Sequence, residues 1–218
     1  MIEPAKGLGL SRIHFPITAL GYGRRIGIWL QGCSIRCRGC MSVDTWAAPK
    51  SLTPIDTVLD SIGIWLGTAD GVSITGGEPL EQAEPLSELL RAIRRRMNGD
   101  IILFSGHDAD ALPIGSDEVL ECIDTLVAGP FEAARPDSRP LIGSSNQVIH
   151  FITQFGRDRY ELFAQEASLR PTVDLVPEGD GFWLVGIPRH GDFEHLTKLL
   201  GEDGVTLKTS AGRIGRAP

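Results

Sequence analysis

The sequence predicts an α/β fold in which parallel strands alternate with helices. Short apolar runs of strand length recur along the chain, and the segments between them carry apolar residues at helical spacing. Strands that are separated by helices pair in parallel within one sheet. With 218 residues the chain can bury one good core. The predicted strands of this core are 24–30, 72–75, 101–104, 124–128 and 147–152.

Helices are predicted between these strands. The first begins at Thr53, a good N-cap residue, and runs to about Leu66. The second spans 80–97, where apolar residues recur at the spacing of one helix face and a proline occupies the first turn. Ser116 is predicted to cap a third, short helix that ends near Ile123.

The last part of the chain is predicted to be an extension of the core. Two apolar runs, 172–176 and 182–186, flank a turn that contains proline and glycine, which is typical of a β-hairpin. A helix from about 192 to 200 and a short strand at 205–207 are expected to follow. The predicted division of the chain is a core, 1–155, and an extension packed on it, 156–218.

The most informative feature is a cluster of cysteines. Cys33, Cys37 and Cys40 stand at the spacing C-x3-C-x2-C. This set supplies one thiolate fewer than a structural zinc site or a closed iron–sulfur cluster uses. The simplest interpretation is a [4Fe-4S] cluster with three protein-bound irons and one iron open to a ligand. An open iron indicates chemistry, whereas a closed cluster would indicate only electron transfer or structure.

Other ligand sets are compatible with these cysteines. A zinc ion could take His14 or His107 as its fourth ligand, and a ferredoxin-type loop could be completed by Cys122. Cys122 lies inside a helical apolar pattern, so we predict a buried core cysteine rather than a ligand there.

A second motif, Gly76-Gly77-Glu78-Pro79, joins a predicted strand to a predicted helix. A Gly-Gly turn lets the backbone approach a ligand closely, because no side chain intervenes. Taken alone, the motif favours an ordinary strand-to-helix turn that carries a surface glutamate. If the turn binds a ligand, Gly77→Val should block the ligand more than it harms folding.

Together, the cysteine loop after the first strand and the GGEP motif after the second resemble the radical S-adenosylmethionine (radical SAM) superfamily. The resemblance implies a partial, open (β/α) barrel with both motifs at the C-terminal ends of strands. It implies three cluster ligands, which are Cys33, Cys37 and Cys40. The implied contacts of S-adenosylmethionine are Gly76, Gly77, Glu78 and Pro79, with Ser105 and Gly106 at the end of the next strand. One departure is Gly39, which stands where the superfamily often has an aromatic residue.

A narrower resemblance comes from two later segments. The segment 124–131, which ends in Gly-Pro-Phe, and the segment Gly-Ser-Ser-Asn-Gln at 143–147 resemble the activating proteins of anaerobic (class III) ribonucleoside-triphosphate reductases. Phe131 and the loop 143–147 are then expected at the barrel mouth, where a partner would dock. Ala128 departs from the family's acidic residue, and the C-terminal part exceeds that of compact members. The polar residues of 143–147 either cap a turn locally or contact the cofactor or partner.

The resemblance implies a radical SAM oxidoreductase that cleaves S-adenosylmethionine reductively to a 5′-deoxyadenosyl radical. This radical would remove a hydrogen from a backbone glycine of anaerobic ribonucleotide reductase. The implied partners are that glycyl-radical enzyme and a flavodoxin- or ferredoxin-like one-electron reductant. No catalytic residue beyond the cluster and S-adenosylmethionine is implied, since hydrogen abstraction needs no general base.

Two alternatives stay open at this point. One is a small radical SAM enzyme similar to the 7-carboxy-7-deazaguanine synthases, acting on a small molecule or peptide. The other is a non-enzymatic iron–sulfur electron carrier, which the GGEP motif and the missing fourth cysteine disfavour.

Composition limits the other function classes. The net charge of −7 argues against broad nucleic-acid binding. No apolar run approaches the ~20 residues that span a membrane, and the N-terminus lacks the apolar core of a signal peptide. Thiolate ligands suit a reducing compartment, so a cytoplasmic location is expected.

Overall fold

The computed structural model describes residues 7–166, 172–179, 181–188 and 191–202. The strands in these ranges are β1 (Gly7–Leu8), β2 (Leu10–Ile17), β3 (Arg25–Leu30), β4 (Thr53–Pro54), β5 (Gly71–Gly76), β6 (Asp100–Ser105), β7 (Thr125–Ala128), β8 (Val148–Phe151), β9 (Val173–Glu178) and β10 (Gly181–Gly186). The α-helices are α1 (Ile55–Gly63), α2 (Ala83–Arg94), α3 (Ser116–Leu120), α4 (Gln154–Glu166) and α5 (Asp192–Glu202). The strand predicted at 205–207 lies outside the described residues. None of the helices in the described ranges is both long and apolar enough to cross a membrane.

The centre of the molecule is a six-stranded sheet with the strand order β2-β3-β5-β6-β7-β8. β3, β5, β6 and β7 are parallel neighbours, which confirms the parallel α/β centre that the alternation of strands and helices predicts. The edge strands β2 and β8 are antiparallel to their neighbours. β8 returns antiparallel because the chain between β7 and β8 forms no crossover helix.

One face of the sheet packs against α1, α2 and α3. Alternate residues of each strand point to this face, as the two-residue repeat of a strand requires. From β3 these are Ile26, Ile28 and Leu30, which are buried together with apolar residues of α1 and α2. The main core therefore lies between the sheet and these helices.

The opposite face of the sheet is covered by the C-terminal part of the chain. Trp29 of β3 packs with Val176 and Val185 of the β9–β10 hairpin, and Phe163 of α4 packs on the other half of the sheet. The hairpin is tied down by Asp174. Its carboxylate accepts hydrogen bonds from the backbone N–H of Thr18 (2.6 Å) and of Ala19 (2.9 Å) and from the Thr18 hydroxyl (2.7 Å).

A buried arginine joins the starts of three strands. Arg25 of β3 has no exposed surface, and its guanidinium forms an ion pair with Asp100 of β6 at 2.8 Å. The same guanidinium donates to the Ser73 hydroxyl at 2.8 Å and to the Val72 carbonyl at 2.7 Å, both in β5. These bonds fix the three parallel strands relative to one another at the edge opposite to their C-terminal ends.

The helix starts differ from those that the sequence predicts. Thr53 is not a cap, because Thr53–Pro54 pairs as β4 with β1, and α1 begins only at Ile55. The predicted helix 80–97 begins instead as a 3-10 turn, Pro79–Gln82, and α2 follows it. Ser116 is the first residue of α3 rather than its cap, since its hydroxyl donates back to the Pro113 carbonyl.

Candidate metal centre and cofactor site

The C-terminal ends of β3, β5 and β6 border one cavity of about 440 Å³. The cysteine loop forms one side of this cavity, and the ends of β5 and β6 form another. The predicted site residues in its lining are Cys33, Cys37, Cys40, Gly76, Gly77, Glu78, Ser105 and Gly106. Pro79, the remaining predicted contact, is buried as the first residue of the 3-10 turn and does not line the cavity.

The three cysteines of the loop are free and half-buried. Burial raises the pKa of each thiol above its ordinary value. Backbone N–H groups oppose this effect, from Ile35 and Arg36 at Cys33, from Phe131 at Cys37 and from Ser42 at Cys40, and they lower each pKa in part. A metal would bind the deprotonated form, and these N–H groups already favour negative charge on the sulfurs.

The cysteine loop is held against the rest of the site by hydrogen bonds on both sides. The backbone N–H of Ser34 donates to the Glu81 carboxylate at 3.0 Å, and the Ser34 hydroxyl donates to the same carboxylate. The backbone N–H of Gly32 donates to the Thr45 carbonyl at 2.8 Å. Glu81 was not among the predicted site residues, although it follows the GGEP motif by two positions.

The glycines of the GGEP motif have a packing role that the sequence did not reveal. The backbone N–H of Gly77 donates to the Leu30 carbonyl, and that of Glu78 donates to the Gly32 carbonyl, both at 2.8 Å. A Cβ at Gly77 would overlap with the Gly32 carbonyl group, and Gly76 has a φ of 107°. Gly77→Val should therefore harm the fold as well as block a ligand, because the valine would push into the start of the cysteine loop.

Glu78 is not the surface glutamate of an ordinary turn, since only 1% of it is exposed. Its carboxylate accepts hydrogen bonds from the N–H of Leu80 (2.9 Å), the hydroxyl of Ser105 (2.9 Å) and the N–H of Gly106 (2.8 Å). Burial raises the pKa of Glu78 above its ordinary value, against the opposite effect of these donors. The carboxylate thus ties the end of β5 to the end of β6 beside the cavity.

Gly39, the departure in the cysteine loop, lies beside a ring from another segment. A Cβ at Gly39 would lie 3.5 Å from the Phe131 ring, and a Cβ at Gly143 would lie 3.2 Å from the same ring. Phe131 therefore packs between the cysteine loop and the segment 143–147. This ring contributes to the cavity lining beside the cysteines, where the superfamily often has an aromatic residue in the loop itself.

The two segments that carry the narrower resemblance are bonded to each other. The Gln147 side chain accepts from the Gly143 N–H at 2.9 Å and donates to the Gly129 carbonyl at 3.1 Å. The Asn146 amide donates to the Pro130 carbonyl at 2.7 Å. The bond to Gly143 caps the turn locally, as one of the two sequence interpretations held, and the other two bonds join it to the segment that ends in Gly-Pro-Phe.

Cys122, the remaining cysteine, and His14, one of the two candidate histidine ligands, lie elsewhere. Cys122 is buried in the core between the sheet and the helices, as predicted. His14 pairs with Gly27 in the middle of β3, and its ring meets that of Trp183 edge-on at 5.7 Å. Neither residue lines the cavity that holds the cysteines.

Most of the sequence that forms this cavity matches a known protein family. Residues 19–150 match the profile of a family described as the 4Fe-4S single cluster domain. The chain belongs to this family. The matched residues include the three clustered cysteines, so the zinc alternative is set aside for a [4Fe-4S] cluster.

Individual relatives of this 4Fe-4S chain carry names of activating enzymes. An anaerobic ribonucleoside-triphosphate reductase-activating protein of Vibrio cholerae is 31% identical over 150 residues, which cover 64% of this chain and 96% of that protein. The protein of the same name from Enterobacteria phage T4 is 30% identical over 132 residues, covering 58% and 83%. A pyruvate formate-lyase-activating enzyme of Listeria monocytogenes is 34% identical over 87 residues, covering 36% and 35%.

These relatives confirm the radical SAM resemblance. The chain is a radical SAM enzyme of the activating-enzyme type, with a [4Fe-4S] cluster and S-adenosylmethionine as cofactors. Among solved structures, a crystal structure of QueE from Escherichia coli covers 93% of this chain and 79% of that one, with a TM-score of 0.41 and 17% identity. That likeness is too loose to support any conclusion about either the fold or the target.

The residues of the cavity fit such a cluster. Half-buried thiols face one cavity, and N–H groups are directed at each sulfur. A cubane takes one cysteine per iron, so its thiolates need not meet at a single point. In the part of the chain that the structure describes, no three His, Cys, Asp or Glu side chains are placed to hold a single metal ion.

Proposed function

We propose that this chain activates an anaerobic ribonucleotide reductase by forming a glycyl radical on it. The observation that carries the proposal is the shared cavity, which has the cysteine loop on one side and the β5 and β6 ends on the other. When bound, the cluster and S-adenosylmethionine supply a 5′-deoxyadenosyl radical, after one external electron cleaves the bond between sulfur and C5′. The relatives named as reductase-activating proteins support this choice of target.

Cys33, Cys37 and Cys40 are assigned to three irons of the cluster, and the fourth iron is left for S-adenosylmethionine. Their thiols face the cavity, whereas Cys122 is buried in the core on the helix face of the sheet. A cluster with an open iron needs this separation, because a fourth nearby thiolate would occupy that iron.

The second side of the cavity is assigned to S-adenosylmethionine. Gly76, Gly77 and Glu78 line it together with Ser105 and Gly106. The Glu78 carboxylate already accepts three hydrogen bonds from its own chain, and the N–H groups of Gly77 and Glu78 are paired as well, so we assign the cofactor contacts of this segment to its backbone carbonyls. Pro79 supports the segment from behind, by starting the 3-10 turn. The sheet would form one side of a partial, open barrel, with the cavity at its mouth.

The target side of the cavity is assigned to the C-terminal hairpin and the chain that follows it. Leu184, Val185 and Ile187 line the cavity although they lie beyond the family match, which ends at residue 150. Apolar side chains there exclude water, which keeps a reactive radical from side reactions. We propose that residues 156–218 thus form an extension that packs on the core and limits what reaches the cofactor.

The partners follow from the chemistry. One electron is needed for each cleavage, so a flavodoxin- or ferredoxin-like reductant is proposed. The location proposed is the cytoplasm, where thiolate ligands stay reduced. A small-molecule or peptide target is the competing outcome, and it would show as cleavage of S-adenosylmethionine with no radical on the reductase.

Anaerobic reconstitution followed by reduction tests the assignment of the cysteines. The wild-type protein should bind about four irons and form 5′-deoxyadenosine. Cys33→Ala, Cys37→Ala and Cys40→Ala should each abolish cleavage of S-adenosylmethionine, and Cys122→Ala should spare it. Loss of the cluster in Cys122→Ala would contradict the open-iron assignment.

A further inference from the structure

One polar group beside the cysteines lacks a hydrogen-bond acceptor in the part of the chain that the structure describes. The indole Nε1–H of Trp46 is buried, and no hydrogen-bond acceptor within the described residues satisfies it. Trp46 lines the same cavity as Cys40. Buried donors are nearly always paired in folded proteins, so an unpaired one at a cavity indicates a group that binds there.

The indole N–H lowers the pKa of the Cys40 thiol in part, against the larger effect of burial, and so favours its thiolate. The backbone N–H of Ser42 donates to the same sulfur at 3.3 Å. The donors directed at Cys33 and Cys37 are all backbone groups. Trp46 therefore supplies a side-chain donor at these sulfurs, and a single substitution can remove it.

A short, well-anchored turn holds the indole in place. Trp46 follows the 3-10 turn Val43–Thr45, and its backbone N–H donates to the Val43 carbonyl at 3.1 Å. Thr45 is buried, and its hydroxyl donates to the Ser42 carbonyl at 2.6 Å. The Trp46 carbonyl in turn accepts from the Cys33 N–H at 3.3 Å. The ring position is thus coupled to both ends of the cysteine loop.

We propose that the Trp46 indole N–H donates a hydrogen bond to the cluster at Cys40 and raises its reduction potential. This inference rests on the proposed function, since it takes Cys40 as a cluster ligand. Hydrogen bonds to sulfur are among the factors that set the potential of an iron–sulfur cluster. Trp46 acts here as a positioning and tuning residue and does not touch the reacting carbon.

The sign of the effect follows from charge. The reduced cluster carries one more negative charge than the oxidised one, so an N–H donor stabilises the reduced state more. Loss of the donor should make the cluster harder to reduce. We expect about a tenfold lower equilibrium constant for reduction, which is a shift of about 59 mV to more negative potential for a one-electron couple.

The test is a redox titration of the reconstituted protein, in which the EPR signal of the reduced cluster measures the extent of reduction. Trp46→Phe removes the N–H and keeps an aromatic ring, and 3-benzothienylalanine at position 46 replaces only the N–H of the indole by sulfur. Trp65→Phe is the matched control, because Trp65 stacks on Phe15 at 5.6 Å and does not line the cavity. Iron content and melting temperature are measured for each protein.

We expect a more negative potential in both position-46 variants at full iron content, and the wild-type potential in Trp65→Phe. An unchanged potential in the benzothienylalanine protein would overturn the inference, whether or not Trp46→Phe holds a cluster. If the wild-type protein itself gave no four-iron EPR signal, the proposed function would fail as well. A normal wild-type cluster with no shift in the variants would overturn this inference alone.

Discussion

Gly77 and Gly32 lie in direct backbone contact at the point where the GGEP motif meets the cysteine loop. The Gly32 carbonyl carbon would be only 2.7 Å from a Cβ at Gly77, and the same carbonyl accepts the N–H of Glu78 at 2.8 Å. The two motifs are therefore one structural unit. A substitution in either motif should therefore alter the structure of the other.

Gly77→Ala should destabilise the apo protein by about 1–3 kcal/mol, because the new methyl group has no room beside Gly32. Denaturant unfolding under reducing conditions measures this loss. Gly63→Ala at the end of α1 is the control, since a Cβ there meets nothing within 4 Å. Equal stability of the two variants would show that the loop moves aside freely.

Glu78→Gln should reveal the raised pKa of the buried carboxyl group. A raised pKa in the fold means that Glu78 contributes most stability below its ordinary value of 4.5, and that this contribution is lost as the pH rises above it. The unfolding free energy of the wild type relative to Glu78→Gln should therefore fall from pH 4.5 upward. Other titrating groups are common to both proteins and cancel.

Chemical denaturation of the apo proteins across this pH range gives the difference. Glu88→Gln, at an exposed position of α2, is the matched control for the substitution itself. If the unfolding free energy of the wild type relative to Glu78→Gln rose with pH instead, the three donors at the carboxylate would outweigh its burial.

Asp174→Ala should loosen the C-terminal hairpin from the core. It removes three hydrogen bonds from Thr18 and Ala19 to a charged acceptor, and we expect a loss of about 2–3 kcal/mol. Trp183 of the hairpin contacts Trp29 edge-on at 5.0 Å, so tryptophan fluorescence should report the change. Asp60→Ala, at an exposed position of α1, should leave both stability and fluorescence unaltered.

Arg25→Met should destabilise the sheet by about 3–5 kcal/mol, because it leaves the Asp100 carboxylate buried without its cation. Denaturant unfolding measures the loss, and Arg96→Met at an exposed position provides the comparison. If Arg25→Met lost no more stability than the control, water or a neighbouring donor would have to replace the guanidinium.

The parts of the site that depend on local sequence were predictable. The spacing of Cys33, Cys37 and Cys40 and the Gly76-Gly77 turn after a strand carry their own signal, since each motif is contiguous in the chain. Apolar runs likewise located β3, β5, β6 and β7, and the helical pattern around Cys122 predicted its burial correctly.

The other features of the fold and the site depend on contacts between residues that are distant in the sequence. The charges of Arg25 and Asp100 are separated by 75 residues, and nothing in either segment shows that they pair. Thr53 has the chemistry of a cap, yet its backbone pairs with Leu8. The role of Gly77 against Gly32 and the direction of the Trp46 indole need the three-dimensional arrangement of the loop. Helix α4 went unpredicted, because its few buried apolar residues, such as Phe163, are interspersed with charged ones.

The most direct test of the central claim is the EPR spectrum of a class III ribonucleotide reductase after incubation with the reduced, reconstituted protein and S-adenosylmethionine. We expect a glycyl-radical signal on the reductase, with 5′-deoxyadenosine formed in step with it, and neither product with Cys37→Ala. Formation of 5′-deoxyadenosine with no radical on the reductase would contradict the claim and assign the enzyme to another target.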